Sequence, residues 1–63
     1  MASPETNRLR VVARLSRDGR ISEGGAKHEK FAHADKPGLQ VLVPRHKILS
    51  RGVARNIAKA AGW

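Results

Sequence analysis

Apolar residues recur at helical spacing near the start of the chain. Leu9, Val12, Ala13 and Leu15, with Val11, form one face, while Arg10, Arg14 and Arg17 gather opposite. This predicts an amphipathic helix over residues 4–18. Ser3 is its candidate cap, with Pro4 at the first helical position and Glu5 in the first turn; Thr6 and Asn7 are alternative caps. Asp18-Gly19 supplies the stop. A short strand over residues 20–23 follows, with Ile21 as its apolar anchor, and then a turn at Gly24-Gly25-Ala26. The second strand spans 27–33. Its alternation puts His28, Lys30 and Ala32 on one face and Lys27, Glu29, Phe31 and His33 on the other, so a Phe31 anchored in the core turns His28 outward.

Residues 34–38 read as a turn in which Pro37 presets one angle and Gly38 accepts a positive φ. The β-branched run over 39–43, closed by Pro44, is a third strand that pairs with the second as an antiparallel hairpin. After a loop carrying Arg45, His46 and Lys47, Ser50 caps a helix over residues 51–61. That helix turns Val53, Ile57, Ala60 and Ala61 inward and ends at Gly62. The order α-β-β-β-α predicts one α+β domain over residues 1–63, a three-stranded antiparallel sheet with two helices on one face. It is the order of a double-stranded-RNA-binding domain.

Composition sharpens this picture. A domain of 63 residues hides only about 60% of the surface its unfolded chain exposes, so the core is thin. A formal net charge of +8 attracts polyanions: nucleic acid, an acidic protein, or both. No run approaches the roughly 18 apolar residues of a membrane span, and no secretory signal is apparent, so a cytoplasmic protein without a membrane partner is expected. Cysteine is absent, which excludes disulfides and thiolate metal sites.

Candidate chemistry centres on His28, an imidazole able to titrate near neutrality beside a glycine turn and flanked by Lys27 and Lys30. It reads either as a proton carrier or as a surface histidine on a polar strand face. Gly25 and its neighbours offer backbone N–H groups to a phosphate, and the two lysines offset its charge. Arg45, His46 and Lys47 precede the last helix, on which Arg51, Arg55 and Lys59 form an i, i+4, i+8 stripe able to track a phosphate backbone. His28 and His33 have opposite strand parity, so no metal site is predicted and no cofactor is called for. Walker loops, serine elbows and paired carboxylates do not occur.

Several segments in order resemble the HicA toxin family. They are Asp18-Gly19, the stretch Gly24 to Phe31 with a histidine three residues ahead of the aromatic, Val41-Leu42-Val43-Pro44-Arg45-His46, and the closing helix Ser50 to Ile57 with Ala60-Ala61-Gly62-Trp63. The family often has tryptophan after the Asp-Gly pair, where this chain has Arg20. Its motif is commonly Gly-Ser-His, whereas Ala26 and Lys27 separate Gly25 from His28 here. The resemblance implies a metal-independent endoribonuclease that cleaves mRNA, with His28 as the catalytic residue and a HicB-like antitoxin as partner. The competing readings are a non-catalytic RNA-binding module of the same fold and a protein-interaction domain whose charge serves only an acidic partner.

Overall fold

The computed structural model describes residues 4–35 and 38–63; the Ser3 cap and the Lys36-Pro37 part of the predicted turn lie outside them. The elements are α1 (Arg8–Arg17), β1 (Arg20–Ser22), β2 (His28–His33), β3 (Gln40–Pro44) and α2 (Arg51–Ala61), the predicted α-β-β-β-α order. The strands form an antiparallel meander in the order β1-β2-β3.

The first helix begins later than its apolar pattern implies. Residues 4–6 are not helical, because the chain here pairs with the segment ahead of α2. Leu49 N–H donates to the Thr6 carbonyl at 2.8 Å, Arg8 N–H donates to the Lys47 carbonyl at 3.1 Å, and Asn7 bridges to Ile48. Asn7 is the cap, its side-chain oxygen accepting from Arg10 N–H at 3.2 Å. At the far end of the chain, Ser50 accepts from Val53 N–H as predicted. Gly62 takes the left-handed conformation at φ 78°, and Trp63 N–H returns to the Ala58 carbonyl while Gly62 N–H returns to Lys59, which satisfies two of the end carbonyls of α2.

Register decides which side chains are inside. Phe31 faces Val41 and Glu29 faces Val43, while Ser22 faces Phe31 and Arg20 faces His33. The helix-covered side of the sheet therefore carries Phe31, Val41 and Val43. These close the core with Val11 and Leu15 of α1, Leu49, and Ala54, Ile57 and Ala61 of α2. This parity corrects the anchor of the first strand: Ile21 is 66% exposed on the open face, and Arg20 is the buried residue of β1. The helix faces are likewise narrower than expected, with Leu9, Ala13 and Ala60 exposed and Ala54 buried. Pro44 closes β3 opposite His28; β3 is an edge strand, where a residue without an N–H is tolerated.

Candidate active site

The β1–β2 turn determines where β2 begins. Glu23 N–H donates to the Lys30 carbonyl at 2.7 Å and Lys30 N–H to the Gly24 carbonyl at 3.0 Å, closing the turn around residues 24–27. Gly25 has φ 126°, and a Cβ there would lie 2.1 Å from the His28 carbonyl oxygen. Only glycine fits. Its carbonyl accepts from Arg45 Nε at 2.8 Å, which ties the turn to the segment following β3.

A carboxylate with no role evident in the sequence pattern holds this corner together. Glu29 lies on the inward face of β2, where it accepts from the Ser22 hydroxyl and pairs with Arg8, with Arg45 4.0 Å away. Arg8 also donates from Nε to the Pro44 carbonyl at 2.9 Å. One acid thus links α1, β1, β2 and the exit of β3. The Ser22 hydrogen bond first, then the Arg8 hydrogen bond and charge and the Arg45 charge, hold its carboxyl below the usual range despite an opposing contribution from desolvation. The available signal was its parity with Phe31: an acid on the core side of a strand requires partners.

This corner presents His28 outward. The residue is exposed and sits at the junction of two adjoining recesses, whose shared walls also include Pro44 and Val53. One recess, about 310 Å³, runs between β3 and α2 past Leu42, Asn56 and Ala60. The other, about 460 Å³, is walled by His46, Ile48 and Ser50. Ser50 caps α2, so the positive end of that helix dipole is at the second recess.

Not all predicted contact residues converge here. Lys30 shares the open face of the sheet with His28 two residues away, and Lys27 is exposed in the turn ahead of it. Lys47 and Arg51, both exposed, adjoin the recess-lining residues His46, Ile48 and Ser50 in sequence. Arg45 is engaged by Gly25 and Glu29, so it braces the site as well as adding charge. Arg51 and Arg55 fall on the opposite side of α2 from the groove-lining Val53 and Ala60, with Lys59 at the flank, given about 100° per residue. His33 is spent on structure: its ring bonds the Asp18 carbonyl at 2.9 Å and accepts from Asp35 N–H at 3.1 Å. Trp63 is docked, donating to the Asp18 carboxylate at 2.6 Å, with Arg14 stacked 4.3 Å from its ring centroid. Among the described residues no three His, Cys, Asp or Glu side chains gather as a metal site, and no helix is long and apolar enough to cross a membrane.

This frame of glycine turn, outward histidine, Pro44 and capped α2 lies within residues 10–63, which match the family model described as the HicA toxin of bacterial toxin-antitoxin systems. The chain belongs to the HicA toxin family. No curated protein matches it. Family membership makes the chain a toxin component and implies an antitoxin partner. Within this HicA-family chain Arg20 occupies the position after Asp18-Gly19. Arg20 is 5% exposed overall, with Nε and Nη1 buried and without a hydrogen-bond partner, so a cation is packed at this position.

Proposed function

We propose that this HicA-family chain is a metal-independent endoribonuclease that cleaves mRNA in the cytoplasm with His28 as a catalytic proton carrier, and that a HicB-like antitoxin neutralises it. The supporting observation is the place of His28: an exposed imidazole at the junction of two recesses, beside a cationic surface and the start of a capped helix.

RNA carries its own nucleophile. Removing the 2′-hydroxyl proton lets O2′ attack the adjacent phosphorus, and the protein has to supply a proton acceptor, a donor for the leaving oxygen and positive charge for the phosphorane. An imidazole suits proton transfer near neutrality. Lys27, Lys30 and Lys47 counter phosphate charge, as does the start of α2. The Gly25 turn and the Glu29 cluster hold the histidine in place, which is where preorganisation contributes.

The antitoxin covers His28 and the Arg45–Lys47 loop, since occluding the recess is the most direct inhibition; a complex that leaves both open to solvent contradicts this. The ribonuclease reading is tested with His28→Ala. Cleavage should fall by about 100 to 10,000-fold while RNA affinity at low salt is retained. Binding without cleavage by the wild type identifies a non-catalytic RNA-binding module instead, and no binding at low salt identifies a protein-interaction domain.

A further inference from the structure

We propose that His46 is the second proton carrier of this site, paired with His28 so that one imidazole acts as base and the other as acid; the proposal rests on the ribonuclease reading above. The two histidines are 18 positions apart, on different elements: His28 opens β2, and His46 lies in the loop between β3 and α2. Both are exposed and both line the recess of about 460 Å³. The pairing of His28 with Pro44 brings them together, because it sets the loop leaving β3 beside the first residue of β2. Arg45, between Pro44 and His46, pins that loop through its bond to Gly25.

The chemistry requires two groups. In the attack of O2′ on phosphorus, the 5′-oxygen leaves from the opposite side, so one imidazole cannot serve both ends of the reaction at once. As the O2′–P bond forms, a neutral imidazole takes the 2′-hydroxyl proton. As the P–O5′ bond breaks, an imidazolium delivers its proton to the 5′-oxygen. The products are a 2′,3′-cyclic phosphate and a 5′-hydroxyl; no water is consumed and nothing is oxidised. The recess lies within the roughly 300–1,000 Å³ range of small-molecule sites. Ser50 at its wall places the start of α2 where the phosphorane charge develops. The third histidine is not available for the task, because both its ring nitrogens are engaged by Asp18 and Asp35.

The experiment compares the wild type, His28→Ala and His46→Ala on two versions of one RNA oligonucleotide. One has the ordinary linkage and the other has sulfur in place of the 5′-bridging oxygen, a leaving group that needs no proton. Both variants should lose about 100 to 10,000-fold in kcat on the ordinary RNA. The sulfur linkage should rescue one variant and not the other. The wild-type pH–rate profile should be a bell, with each variant losing one limb. Circular dichroism and thermal melting of His46→Ala should match the wild type, since the side chain is exposed. The pairing is overturned if His46→Ala keeps its kcat, if it changes only KM, or if neither variant is rescued by sulfur. A wild type that cleaves neither RNA overturns the ribonuclease reading and this pairing together; wild-type cleavage that survives His46→Ala overturns the pairing alone.

Discussion

Replacing Glu29 with glutamine removes one charge from the cluster that ties α1 to the sheet. The Arg8 and Glu29 side chains are only 15% and 16% exposed, so water does little to compensate the arginine left behind. Removing one partner of a fully buried pair costs about 3–5 kcal/mol, whereas an exposed pair contributes about 0–1 kcal/mol. With roughly one sixth of each side chain exposed, and with glutamine still able to bond Ser22, a loss of about 2 kcal/mol is expected. For a chain of this length, total stability is about 3–9 kcal/mol. That loss therefore lowers the melting temperature by about 8–16 °C. The assay is urea unfolding of wild type, Glu29→Gln, Arg8→Gln and the double variant, followed by circular dichroism. The double variant should be less destabilised than the sum of the singles by about 1 kcal/mol or more. The sign with pH is also fixed. A carboxyl held below its ordinary value contributes fully above that value and loses the contribution as pH falls through the lowered one. The gap between wild type and Glu29→Gln should be full at neutrality and close progressively below about pH 4.3. Additive single effects, or a gap that is the same at pH 7 and pH 3, refute the cluster as an anchor.

Three further outcomes follow from the same geometry. Gly24→Ala, at φ 79° with open space around it, should cost about 1–2 kcal/mol; Gly25→Ala, whose Cβ meets the His28 carbonyl, should melt at a lower temperature and lose more cleavage. Arg20→Met should raise stability by about 1–3 kcal/mol in urea unfolding, because two buried nitrogens without partners are removed and the aliphatic packing is kept. In filter binding across a salt series, Lys30→Ala and Lys47→Ala should weaken RNA binding and flatten the salt slope more than Arg55→Ala, which faces away from the recesses.

Local signals in the chain are legible where local physics governs. Ser50 and Gly62 delimit α2 because a hydroxyl cap and a positive φ are properties of single residues. Strand alternation from the Phe31 anchor was enough to turn His28 outward. Features set by pairing between distant segments were hidden. The start of α1 moved to Arg8 because residues 6–8 bond to the chain around Lys47 and Leu49, some 40 residues on. Ile21 lost its place to Arg20 because β1 is registered by Ser22 opposite Phe31, and a one-residue change of parity reverses every side chain. The cluster at Glu29 and the recess shared by His28 and His46 depend on the same long-range register, which spacing along the chain does not encode.

The proposed ribonuclease activity has His28, an outward imidazole at the mouth of these recesses, cleave RNA through the internal hydroxyl. Its most direct test is to incubate the purified chain with end-labelled RNA in excess chelator and identify the termini formed. The wild type should yield 2′,3′-cyclic phosphate ends, and His28→Ala none above background. Fragments that appear only when magnesium is added, or that form equally without the His28 imidazole, would contradict it.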